Sequence, residues 1–110
     1  MKEYDKYLTE IWGIGRKNSL RSQLMRDTMQ WFKENLEVDK FKPHIEHGTE
    51  RDGFKGTSQS NHSSFVLQPN KDGSEIKIIV NDDFYSVDIK SIQELEDLAN
   101  DPDMRHFSKI

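Results

Sequence analysis

Between Ser63 and Ile89, three short apolar stretches alternate with two turn-forming ones, and this pattern limits the possible folds more than any other feature of the chain. "SSFVLQ" and "SEIKIIVN" have the length and β-branched content of strands, and "PNKDG" between them has the composition of a hairpin turn. "DD" is then a tight connection into "FYSVDI", where Phe84, Ser86 and Asp88 alternate with Tyr85, Val87 and Ile89. Connections this short join antiparallel neighbours, so the three strands are expected to form a meander.

Upstream the apolar period lengthens. Tyr4, Tyr7, Leu8, Ile11 and Trp12 mark one face of a short helix that Gly13 ends. Leu20, Leu24, Met25, Met29, Phe32 and Leu36 keep the helical period in a second helix, with Asn18 or Ser19 as its cap and Trp31 beside the stripe. The two would form an αα-hairpin through "GIGRK". Pro43 makes 41–46 extended, in the manner of an edge strand. Residues 47–62, "HGTERDGFKGTSQSNH", read as a long polar loop whose one large apolar side chain is Phe54. Near the C-terminus Ser91 and Glu94 stand at capping-box spacing, Ile92, Leu95, Leu98 and Ala99 supply an apolar helix face, and Asp101-Pro102 closes it. Residues 103–110 are a tail without an assigned element. The expected architecture is a single α+β domain over 1–110. It comprises an N-terminal αα-hairpin, a small, mostly antiparallel sheet of three to four strands, and a C-terminal helix.

Composition narrows the chemistry. Hydrophobic and charged residues each make up 33% of the 110, so the core is small and leans on two Trp, six Phe and three Tyr. A thin core leaves room for homo-oligomerisation. The absence of cysteine excludes disulfides, thiolate metal sites and a Cys nucleophile. Residues 1–45 carry nine Lys/Arg against seven Asp/Glu, whereas 46–110 carry seven against thirteen. Any contact with a polyanion therefore belongs to the first half. "MKEYDKYL" lacks the apolar run of a secretion signal, and the longest apolar run is Ile78-Ile79-Val80. A soluble, cytoplasmic protein that does not engage membrane is expected.

The stretch "IWGIGRKNSLR", Ile11 to Arg21, resembles a helix-hairpin-helix DNA-binding motif. The resemblance implies that Gly13 and Gly15 are the tight backbone positions, Ile14 the apolar plug, Lys17 the phosphate contact and Ser19 the small helix position. Arg16 and Arg21 add positive charge to the same face. Trp12 stands where that family has proline, and Leu20 and Leu24 fall one position out of its phase. The alternative for the same residues is a glycine-bounded turn between two helices.

Other clusters were weighed for chemistry. His44, Glu46 and His47, with His62 across the loop, have metal-ligand side chains, but on an extended segment His47 faces away from the other two. Glu75-Ile76-Lys77 and Asp88-Ile89-Lys90 each spell half of a metal-dependent nuclease core, with Asp52 as the further acid for the first. Neither the P-loop ending nor a nucleophile context is present. The leading expectation is therefore a small non-enzymatic regulator or inhibitor that binds another protein and needs no cofactor or metal. Its composition resembles that of inhibitors encoded by phages and mobile elements. Trp31 is the candidate anchor, the acids Glu94, Glu96, Asp97, Asp101 and Asp103 are the candidate charged face, and loop 47–62 is expected to share the contact. Nucleic-acid binding through Gly13, Gly15, Arg16, Lys17 and Arg21 is the first alternative and metal-dependent nuclease activity the second.

Overall fold

The computed structural model describes residues 22–44 and 53–110. Its first element is helix α1, Gln23–Leu36, which buries Met25, Met29, Trp31, Phe32 and Leu36 along one stripe. Ser22, rather than Asn18 or Ser19, is its cap, because its Oγ accepts from the Met25 N–H at 3.2 Å. The helix ends at Glu37, which takes a left-handed conformation with φ 53° and donates its N–H to the Phe32 carbonyl. The proposed first helix and the hairpin joining it to α1 lie outside the described residues.

Among the described residues five strands follow: β1 Lys42–Pro43, β2 Phe54–Thr57, β3 Ser64–Pro69, β4 Ile76–Val80 and β5 Tyr85–Ile89. They form one antiparallel sheet in sequence order, so β1 and β5 are its edges. The meander over 64–89 is present, and the sheet exceeds the expected three to four strands. The extra strand, β2, falls inside the segment read as a loop over 47–62. Phe54 accounts for the difference: it is 0% exposed in the core and pairs with Leu67 of β3. Four residues with one buried side chain are enough when a neighbouring strand supplies the ladder. The remainder of the described loop is a built turn. Ser58 N–H donates to the Ser63 carbonyl at 2.9 Å, Gln59 N–H to the Glu37 carbonyl at 3.1 Å, and Ser60 Oγ to the Glu37 carboxylate.

The turns match their sequences. Asn70 and Glu75 close the β3–β4 hairpin, with Asn70 N–H donating to the Glu75 carbonyl at 2.9 Å and Gly73 at φ 77°. In the β4–β5 connection Asn81, Asp82 and Asp83 all have positive φ, at 49°, 54° and 74°. That costs L-residues about 1–2 kcal/mol each in an unassisted chain. Here Asn81 Oδ1 accepts from Ser64 N–H at 2.9 Å, and Asp82 pairs with Lys55 Nζ at 2.8 Å.

Helix α2, Ile92–Ala99, packs Leu95 into the core, and a 3-10 turn, Arg105–Phe107, follows. The capping box expected from Ser91 and Glu94 does not form. The Ser91 side chain makes no capping bond, and the Glu94 carboxylate instead accepts from the Lys90 N–H. The tail is part of the fold. Phe107 is fully buried, 6.2 Å from the Phe32 ring and 5.7 Å from Phe65, and Ile110 N–H donates to the Asn35 carbonyl at 2.9 Å. Phe32 also lies 4.8 Å from Phe65 and 6.1 Å from Phe41, so one aromatic cluster joins α1, the sheet and the C-terminal turn.

Candidate functional site

The register decides which groups β5 presents to its surroundings. In an antiparallel ladder, successive residues direct their N–H and C=O to opposite sides of the strand. Asn70 bonds to Glu75, and Asn81 N–H donates to the Ser64 carbonyl at 2.9 Å, which fixes the odd-numbered residues of β4 as those bonded to β3. Ile76, Ile78 and Val80 therefore bond to β5, where their partners are Ile89, Val87 and Tyr85. Ser86 and Asp88 are left with backbone donors and acceptors directed off the sheet.

Beside that edge lies α2. Glu94, Asp97 and Leu98 share one face of α2 by helical spacing, Asp101 follows just past its end, and with β5 they line an open groove of about 460 Å³. Val87 and Leu98 are its half-buried apolar surfaces, and Asp88, Glu94, Asp97 and Asp101 are its charges. Glu94, Asp97 and Asp101 each accept a hydrogen bond from an uncharged local donor. Glu94 accepts from Lys90 N–H, Asp97 from Gln93 Nε2 at 3.1 Å, and Asp101 from Asp103 N–H at 2.9 Å. Asp88 stands opposite Lys77 across the β4–β5 ladder.

The expected acidic face therefore divides. Glu94, Asp97 and Asp101 line the groove, while Asp88 belongs to its β5 wall with its side chain on the exposed face of the sheet. Glu96 projects from the other side of α2, where Lys109 Nζ pairs with it at 2.6 Å and holds its carboxyl below the usual range. The indole of Trp31 lies near enough to help lower it, although Trp31 Nε1 has no partner at hydrogen-bond geometry. Asp103 is exposed beyond the helix end, outside the groove. Trp31 is corrected as a partner anchor: it is 5% exposed and packs edge-on against Phe32 at 5.4 Å, so it belongs to the core.

Among the described residues the exposed aromatic is Phe84, 71% accessible, immediately before β5. It lies 5.5 Å from Tyr85 and 6.1 Å from His106, and Tyr85 Oη is 3.1 Å from His106 Nδ1. Burial pushes the Tyr85 hydroxyl above its ordinary pKa. The sequence carries a signal for this exposure, since Phe84 shares strand parity with Ser86 and Asp88, the solvent-facing pair.

At the other edge of the sheet, Lys40, Lys42 and Lys55 line a wider open cleft of about 700 Å³ together with Asp39. The two edges thus carry opposite charge. Gly13, Gly15, Arg16, Lys17 and Arg21 lie outside the described residues, as do Glu46, His47 and Asp52. His44 ends β1 and His62 sits in the β2–β3 turn. Among the described residues no three His, Cys, Asp or Glu side chains are grouped to hold a metal ion, and no helix is long and apolar enough to cross a membrane. The two nuclease half-motifs meet as Lys77 opposite Asp88, an acid–base pair rather than a carboxylate pair.

No protein-family model, curated protein or solved structure matches this chain.

Proposed function

We propose that this protein is a non-enzymatic regulator or inhibitor that binds another protein through the acidic groove between β5 and α2. The observation that supports this most is the gathering of Glu94 and Asp97 on α2, with Asp101 just past its end, along one side of a groove whose other side is the sheet-edge strand β5. Charges of one sign gathered in this way, next to apolar surface, favour a partner of opposite charge and raise its association rate. Phe84 adds a large exposed aromatic at one end of the same strand, the residue type that most often anchors an interface. The cytoplasm remains the proposed location, and a phage or mobile element the proposed origin.

The test is a comparison of captured proteins after nuclease treatment. Wild-type protein is expected to retain a stoichiometric partner that Glu94→Lys/Asp97→Lys/Asp101→Lys loses and that Glu34→Lys, an exposed change on α1, keeps. Equal capture by all three would contradict the reading.

A second reading has the basic first half contacting nucleic-acid phosphates, with Gly13, Gly15, Arg16, Lys17 and Arg21 as the hairpin and the Lys40/Lys42 cleft beside β1 as further support. It predicts binding that weakens steeply with salt and falls on Lys17→Glu. Salt-independent binding would remove it.

A further inference from the structure

We infer that the partner docks by strand addition, laying an extended segment with Lys or Arg at alternate positions along the free edge of β5. This rests on the protein-binding reading above and adds its mode and the chemistry of the bound segment.

The argument begins with the backbone. The ladder leaves Ser86 and Asp88 with N–H and C=O groups directed away from β4, two positions apart, which is the spacing an incoming strand needs. The other edge is a poor alternative: β1 spans two residues, one of them Pro43, which has no N–H to offer.

Exposed edges are usually blocked by a bulge, a proline or a covering helix. β5 has no proline, and α2 stands beside it across an open groove instead of closing over it. What guards the edge is charge. A second copy of β5 would set its own Asp88 and α2 carboxylates against these, and like charges facing across a ladder are destabilising. A segment bearing Lys or Arg meets the opposite situation. With Lys or Arg at alternate positions its basic side chains share one face, which sets them toward Glu94, Asp97 and Asp101, with Val87 and Leu98 accepting the stems. The edge therefore repels its own kind and accepts a basic strand.

The probe is a capped decapeptide of alternating lysine and threonine, titrated into the wild-type protein at low salt. Two further peptides carry N-methyl groups, one on every lysine and the other on every threonine. Each retains all charges but loses the backbone donors on one side. Strand addition predicts that at least one methylated form binds tenfold or more weakly than the parent. It also predicts that Ser86→Pro, which removes an outward N–H and leaves the β4 ladder intact, weakens the parent peptide to a similar degree. Equal binding of all three peptides, or unchanged affinity in Ser86→Pro, would overturn strand addition while leaving recognition by the acidic groove standing. Binding of none of them would overturn both.

Discussion

Ser22 Oγ donates to the Gly73 carbonyl at 2.7 Å while accepting from the Met25 N–H, so one hydroxyl both starts α1 and fastens it to the β3–β4 turn. The approach is close: a Cβ built on Gly73 would lie 2.7 Å from the Ser22 Cβ, and the φ of 77° disfavours any L side chain. Ser22→Ala should lower stability by about 1–2 kcal/mol through loss of the cap and the cross-link together. Gly73→Ala should cost a similar amount. A double-mutant cycle read by denaturant unfolding should give a coupling of roughly 0.5 kcal/mol or more, since the two residues touch. Additive losses would mean that the contact is incidental.

Phe107 ties the C-terminal turn to the aromatic cluster. Phe107→Ala should destabilise the protein by about 3–5 kcal/mol, measured as a lower midpoint in urea. That is a large share of the roughly 5–15 kcal/mol by which such domains are stable, so a raised unfolded fraction is expected at 37 °C. A chain with unchanged stability would show the tail to be dispensable.

That tail also marks where the sequence stopped being legible. The meander over 64–89 could be read because turn residues fall at fixed offsets between β-branched runs, and those signals are local. The stripe of α1 could be read for the same reason. Phe54 and Phe107 could not, because each is a single aromatic in a polar stretch and its burial depends on partners far away in sequence. β2 exists because Leu67 and Phe65 of β3 offer it a ladder and a core, and "GTERDGFKGTSQ" carries no periodicity that announces this. The acidic face was half legible. Helical spacing places Glu94 and Asp97 together and Glu96 opposite, but the groove they line required the packing of α2 beside β5. Trp31 was ambiguous because it flanks the stripe, and only the Phe32 contact placed it in the core.

The β4–β5 connection should accept glycine. Asp83 has φ 74° and no side-chain bond among the described residues, so Asp83→Gly is expected to raise stability by about 0.5–1 kcal/mol. Asp82→Gly should gain less, because it removes the Lys55 pair. Thermal denaturation of both variants separates the two effects. A lower midpoint for Asp83→Gly would mean the aspartate is held by interactions that offset its backbone strain.

The pH dependence has a defined sign. Lys109 holds the Glu96 carboxyl below its ordinary pKa of 4.5 in the folded protein, and Lys55 does the same for Asp82, whose ordinary value is 3.8. A depressed folded pKa contributes stability that is present above the unfolded value and lost as pH falls through the folded one. Wild-type protein should therefore lose stability on acidification below about pH 4.5, and Glu96→Gln should lose less over the same range. Both pairs are solvent-exposed, so salt should reduce the difference. Identical acid profiles for the two proteins would contradict this role for Lys109.

The central claim is that a protein partner occupies the groove between β5 and α2. Amide hydrogen exchange on the nuclease-treated complex, compared with the free protein, tests it directly. The account predicts slowed exchange at Ser86, Asp88 and the first turns of α2, with the β1–β2 edge unchanged. Protection confined to residues 40–44 and 55–59, with none along β5, would place the partner on the basic edge and contradict the account.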